Sequence, residues 1–227
     1  LSCSAKVLIS GASKNTTFFI AFDLSLKYNS FMKNFLAIDL ELNNNEENNL
    51  SERKIIQVGI AIGNINQKQS EYFTCKWYLN PHEPLYPYIT ILTGITDEDV
   101  LSQSVSHNQV ALELTDLMDQ YDCFVNPVTW GGGDCDGLKK EFKDRHIEFK
   151  KFGRREIDVK TINTYLMLAQ DKNTTSSLKS AMGKFKMNFV GTPHRADVDA
   201  SNTLALFFGL LRRQSKLEDF IENVRLV

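Results

Sequence analysis

Residues Phe35 to Leu42 read FLAIDLEL. The first four side chains form a continuous apolar run, the composition of a strand buried on both faces. Asp39 and Glu41 then interrupt it. Strand side chains alternate faces, so residues two apart share one, and both carboxylates leave the strand end on the same side. Two ionised carboxylates that close repel, and burial raises at least one pKa. A divalent cation removes that penalty, and hard ions such as Mg²⁺ favour carboxylate oxygen. A strand running out into solvent would carry the same acids at no cost. The meaning of the pair therefore depends on the rest of the chain.

That chain has 227 residues, 42% of them hydrophobic, enough for one sizeable core. A formal charge of −2 makes no case for a generally sticky nucleic-acid binder, so any phosphate contact is expected to be local or mediated by metal. Cys3, Cys75, Cys123 and Cys135 are scattered without a C-x-x-C pair. This fits a reducing compartment, with the cytoplasm expected, rather than a zinc site or disulfide framework. No apolar run approaches the length of a membrane span. Met32 stands immediately before the core strand and reads as the natural initiator. On that reading residues 1–31 are a non-native or untranslated extension and 32–227 a single domain. Within the extension Phe19 to Leu26 (FIAFDLSL) imitates the core strand, but Ser25 replaces its second carboxylate.

Beyond the core strand, Asn43 to Asn49 is a polar loop. Ile55 to Ile62 and Glu71 to Leu79 predict two further strands, making a three-stranded meander. Pro81, Pro84 and Pro87 mark an irregular segment leading to Ile91–Val100. Val110, Leu114, Leu117 and Met118 have helical spacing and predict a core-facing stripe. Cys123 to Trp130 predicts a fourth strand, Leu138 to Phe142 the start of a helix, and Arg155 to Val159 a short fifth strand. Ser176 or Ser177 would cap a helix running through Phe185. A last stripe joins Ala200, Leu204, Phe207 or Phe208, and Leu211. Strands first and helices interleaved afterwards indicate an α/β domain with a mixed sheet.

Two later stretches can complete the first. Gly131-Gly132-Gly133 follows a strand, where the chain can turn sharply and bring its backbone close to a ligand. Asp134 and Asp136 sit on that turn and could equally cap the next helix. Gly191 to Ala200 reads GTPHRADVDA. Pro193 pushes Thr192 toward extended geometry, so His194 emerges from a loop or a helix entrance. His194 and Asp199 are five apart, roughly 140° around a helix, and converge only if His194 lies outside it. Asp197, three from His194, is the alternative partner or an N-cap. Spacing alone leaves that choice open.

FLAIDLEL, WGGGDCDGL (130–138) and HRADVDA (194–200), in this order, resemble the DEDDh exonucleases, the DnaQ-like branch of the ribonuclease H-like fold. The resemblance spans about residues 33 to 213 and implies a mixed central sheet of about five strands flanked by helices. Carried across residue by residue, it implies that Asp39, Glu41, Asp134, His194 and Asp199 are catalytic. It favours Asp199 over Asp197, and Asp134 over Asp136. The W-G-x-x-D form with Leu138 beyond it is similar to the 3′-hExo and sporulation-inhibitor-like subgroup, which trims RNA 3′ ends. IQVGI (56–60), LTGIT (92–96), IDVK (157–160) and DASN (199–202) agree with that subgroup. Leu42 departs from the Thr often found there in the wider family.

The implied chemistry is two-metal hydrolysis of a phosphodiester from a single-stranded 3′ end, releasing nucleoside monophosphates. Two Mg²⁺, or Mn²⁺ in their place, would sit about 3.5–4 Å apart. Asp39 would bridge them, Glu41 and Asp199 would hold the ion that activates water, and Asp134 would support the second. His194 would be the general base. Leu40, Leu42, Leu92, Thr93 and Trp130 are the implied substrate contacts. RNA is the expected partner, a DNA exonuclease of proofreading or repair type the alternative, and a catalytically silent nucleic-acid-binding protein the third reading. Lys139 to Arg155 carries eight basic residues. They either follow a phosphate backbone or form a solvated helix face.

Overall fold

A computed structural model describes residues 33–44, 53–174 and 176–225. The expected extension, its FIAFDLSL imitation, the Met32 start and most of the Asn-rich loop lie outside these residues. The strands are β1 (Phe35–Asn43), β2 (Lys54–Gly63), β3 (Phe73–Tyr78), β4 (Val128–Thr129) and β5 (Ile157–Asp158). The helices are α1 (Pro87–Thr93), α2 (Asp97–Gln103), α3 (His107–Gln120), α4 (Asp134–Asp144), α5 (Val159–Leu168), α6 (Leu178–Lys184) and α7 (Ala196–Arg225). The sheet order is β3-β2-β1-β4-β5, with β1 central. β2 and β3 run antiparallel to their neighbours, whereas β4 and β5 are parallel additions. This is the mixed five-stranded sheet that the resemblance implied.

The alternation of β1 sorts the core into two layers. Leu36 and Ile38 pack with Val110, Leu114 and Met118 of α3 and with Leu138 and Phe142 of α4. Ala37 packs on the other face with Ala200, Leu204 and Phe208 of α7. Each such Leu or Ile contributes about 1.5–3 kcal/mol relative to exposure. Asp39 and Glu41 continue the α7 layer, and Leu40 and Leu42 continue the α4 layer. A register shift lies between Glu41 and Leu42, where the strand leaves the core. Irregularities of this kind re-aim side chains beside functional sites.

Several boundaries differ from the sequence reading. Only Val128–Thr129 of the Cys123–Trp130 run joins the ladder, with an isolated bridge between Asn34 and Cys123. Pro127 has no N–H to donate there. A 3-10 turn at Gln69–Glu71 delays β3 to Phe73. The Ile91–Val100 segment belongs to two helices. Pro87 opens α1, Gly94 closes it in the left-handed conformation, and Thr96 caps α2. α4 begins at Asp134, four residues before the predicted start. Ser177, not Ser176, caps α6. On α7 the stripe holds through Phe208, but Leu210 is buried and Leu211 faces outward. Among the described residues no helix is long and apolar enough to cross a membrane, and Cys75, Cys123 and Cys135 are free thiols.

One close approach positions α7. Gly59 pairs with Asp39 in the β1–β2 register. A Cβ at Gly59 would lie 2.0 Å from the Ala196 carbonyl carbon and from the Asp197 nitrogen. Its neighbour Gln57, paired with Glu41 and fully buried, accepts the Ala196 N–H at 2.9 Å and so satisfies the first turn of α7. The helix is thereby seated across β2, directly beside the two acids of β1. Gly59→Ala forces backbone against backbone. We expect it to cost about 1–3 kcal/mol in a urea melt and to lower activity with it. A midpoint and activity equal to wild type would contradict this packing.

Candidate active site

The site is assembled where β1, the glycine turn and the start of α7 meet. Glu41 is buried and Asp39 is partly exposed in the cleft. From α7, Asp199 stands one turn inside the helix. His194 lies outside it, in the left-handed conformation at φ 61°. Asp199 Oδ2 accepts the backbone N–H of His194 at 2.9 Å, which folds the loop back over the helix. The 140° mismatch is resolved in this way: Glu41, His194 and Asp199 present possible ligand atoms all within 4.8 Å of one another. Asp197 does not cap α7. It lies in the first turn and faces Lys76 Nζ at 3.4 Å.

The loop ahead of His194 is tied from behind by Asn202. Its side chain accepts from the Val190 N–H at 2.9 Å and donates to the Val190 and Val198 carbonyls. Arg195 secures the front, donating to the Thr93 carbonyl at 3.3 Å and reaching the Tyr78 hydroxyl at 3.5 Å. Neither residue is announced by its type, although both stand inside motifs quoted above, HRADVDA and DASN.

On the opposite side Gly131 and Gly133 have φ of 96° and 114°, conformations that favour glycine. Asp158 Oδ1 accepts the Gly131 N–H at 3.0 Å while capping α5 through the Lys160 and Thr161 N–H groups. Glu156 Oε1 accepts the Gly133 N–H at 2.9 Å. These two acids pin the turn, so that Asp134 enters the site as the first residue of α4. Sequence reading passed over Glu156 and noted Asp158 only within a motif. Asp136 is exposed and faces Lys139 at 3.3 Å, away from the cluster.

The electrostatics follow from crowding. Burial, then Asp134, Glu41 and Asp199, push the Asp39 carboxyl well above its ordinary value. Glu41 is pushed up to about 8 by burial, Asp199 and Asp134, with Arg195 opposing. Asp134 is pushed up to about 7 by burial, Glu156 and Asp158. Asp199 is raised by burial, although the His194 N–H works the other way. Buried carboxylates that share a site, opposed by the single guanidinium of Arg195, form the donor set that a hard divalent ion fits.

The implied substrate contacts are distributed unevenly. Leu40 and Leu42 line a cleft of about 480 Å³ with Gly133, Asp134 and Lys140. Leu92 is 48% exposed on α1. The Thr93 hydroxyl is committed to the fold, donating to the Ile89 carbonyl and accepting the Ile95 N–H. Trp130 is half-buried against the α7 layer, next to the glycine turn.

Fold and site together define a nuclease of the DEDDh class. The chain belongs to the RNase T exonuclease family, whose model matches residues 36–207, and is a 3′→5′ exonuclease of the DnaQ-like branch. No curated protein matches it in sequence. Among solved structures, the nuclease domain of 3′hExo bound to rAMP is similar at TM-score 0.69 and 20% identity, covering 81% of this chain and 94% of that one. Cell-death related nuclease 4 is similar at TM-score 0.69 and 16% identity, covering 80% and 64%. E. coli exonuclease I in complex with a dT13 oligonucleotide is similar at TM-score 0.61 and 14% identity, covering 83% and 43%.

The raised carboxyl values set a pH dependence. The folded protein holds protons that the unfolded chain releases near the ordinary carboxylate values, so metal-free stability falls as pH rises from about 4 to about 8. A scan of Tm against pH in EDTA should show that decline. Mg²⁺ or Mn²⁺ at about a hundred times Kd should raise Tm by on the order of 5–10 °C, most at the alkaline end. A flat profile, or equal gain at pH 5 and pH 8, would contradict the crowded cluster.

Proposed function

We propose that this exonuclease hydrolyses single-stranded RNA from the 3′ end, one nucleoside monophosphate at a time. The observation that carries the proposal is the convergence of Asp39, Glu41, Asp134 and Asp199 with a loop-borne histidine at one strand end. Asp39, Glu41 and Asp199 would hold one divalent ion, with Asp39 shared and Asp134 on a second. Mg²⁺ is the favoured occupant and Mn²⁺ the alternative. Bound there, such ions supply activation of water and neutralisation of phosphate charge.

The remaining work falls to this chain's own residues. His194 is exposed and tethered at both sides of its loop, so its ring can accept the proton of the attacking water. The new oxygen–phosphorus bond forms as the bond to the 3′ oxygen of the penultimate nucleotide breaks. That oxygen leaves as the new 3′ hydroxyl once protonated. Leu40 and Leu42 offer an apolar wall beside Asp134, and Leu92 a second apolar contact for the terminal nucleotide. The W-G-x-x-D and LTGIT patterns support RNA over DNA. The likeness to exonuclease I with its DNA oligonucleotide supports the second reading, a DNA exonuclease.

The deciding assay supplies 5′-labelled RNA and DNA of one sequence with Mg²⁺, Mn²⁺ or EDTA. A metal-dependent ladder shortening from the RNA 3′ end is expected, and faster loss of DNA would promote the second reading. Asp39→Ala should lower the rate about 10³-fold or more. His194→Ala should lower kcat about 10²- to 10⁴-fold. An unchanged rate in either variant would remove that residue from the chemistry.

A further inference from the structure

Three of the chain's four histidines, His82, His107 and His146, line a single cleft outside the acid cluster. The cleft has a volume of about 720 Å³ and contains Ser106 and Asn108 at the start of α3. Arg145 forms part of its wall and is also part of the wall of the Leu40–Leu42–Asp134 cleft. The two clefts therefore meet at the C-terminal end of α4, the helix whose first residue is Asp134. From Asp134 to Asp144 that helix rises about 15 Å, the length of about four to five stacked nucleotides.

The acids bordering the histidine cleft are already matched. Glu141 receives His107 Nε2 at 2.7 Å, the Ile55 N–H at 3.0 Å and Arg145 at 3.2 Å. Glu148 pairs with Lys150. The basic run of 139–155 is likewise mostly spent on neighbours: Lys139 on Asp136, Lys140 on Asp144 and Lys151 on Asp119. What faces the cleft with capacity left is imidazole from His82 and His146, the Arg145 guanidinium edge, and the hydroxyl and amide groups of Ser106 and Asn108. This is a donor-rich, polar channel with no Phe, Tyr or Trp in its lining. Such a lining suits a sugar–phosphate backbone rather than a base.

We infer that the histidine cleft is a second contact for the substrate strand, holding phosphodiesters about three to five nucleotides upstream of the scissile bond. The single-stranded nucleic acid leaves the acid cluster along α4, passes Lys140 and Arg145, and lays its backbone between His82 and His146. The identity of this ligand rests on the proposed function. The channel itself rests on the geometry of α4 and the two clefts.

The test measures binding without turnover. Fluorescence anisotropy in EDTA compares a 5′-labelled trinucleotide with a decanucleotide of the same 3′ sequence. The wild type should bind the decamer at least ten-fold more tightly. The variant His82→Asp/His146→Asp keeps residues that tolerate a left-handed backbone, the conformation of both positions, while replacing donors by negative charge. It should erase most of that ten-fold difference, because an anionic side chain at either position repels a phosphodiester. Arg145→Gln, on an exposed side chain, should act in the same direction without disturbing the backbone and reduce the salt slope by about 0.7 for the lost phosphate contact. Equal binding of trimer and decamer by the wild type, or an undiminished difference in these variants, would overturn the channel. The same preparations assayed for turnover keep the two readings apart. Length-dependent binding without any 3′ shortening would defeat the nuclease substrate proposal and leave the channel standing.

Discussion

Like-charge repulsion at the end of β1 is the constraint around which this protein is built. Four carboxylates are brought together where water is too scarce to screen them, and each carries a neighbour of the same sign among the causes of its raised pKa. No arrangement of that kind stabilises a fold by itself. It persists because the surrounding structure holds each acid on an element that is independently secure. β1 is clamped between two strands, α4 is buried through Leu138 and Phe142, and α7 is enclosed all round from Ala200 to Phe208. The crowding is a cost that a divalent cation at the proposed site would convert into binding energy.

The seating of α7 shows how the sheet prepares that cost. Asp39 and Glu41 sit opposite Gly59 and Gln57 in the β1–β2 register. One partner is absent in side chain so that the helix can approach. The other supplies the oxygen that the first helical turn lacks. A one-residue slip would turn the acids into the α4 layer and present Val58 to the helix terminus. The register that builds the core therefore also aligns the site, and Asn202 extends the same control to the loop bearing His194.

Much of this was legible in the sequence because it rests on short-range periodicity. The apolar run at 35–38, the two-residue spacing of Asp39 and Glu41, and the helical stripe on α3 each express one element's own geometry. The family motifs then supplied the order of the parts, which is how Asp199 was preferred where spacing left Asp197 open. What could not be read depends on partners far along the chain. The need for glycine at 59 arises from a helix more than a hundred residues away, as does the pairing of Gln57 with Ala196. Glu156 and Asp158 looked like ordinary acids beside a strand, since nothing local reveals that they clasp the Gly131–Gly133 turn. Cys123 to Trp130 read as a strand because its composition is right, but Pro127 withholds a ladder donor. Leu211 followed the helical period, but the neighbouring Leu210 is the residue that reaches the core.

Arg195 connects the acid cluster to α1. Its guanidinium lies between the Glu41 carboxylate, whose charged form it favours, and the C-terminal carbonyl of α1, to which it donates. A single positive charge at this point cannot neutralise four acids, and the raised value of Glu41 shows that it does not. What it does is join elements that have separate tasks. The residue next to His194 grips Thr93, whose neighbour Leu92 is exposed. The same guanidinium thus ties the loop that carries the histidine to the end of α1. Lysine, with one ammonium in place of a planar fork, could hold Thr93 or Tyr78 but not both in this geometry. The arginine is thus explained less by its charge than by its reach.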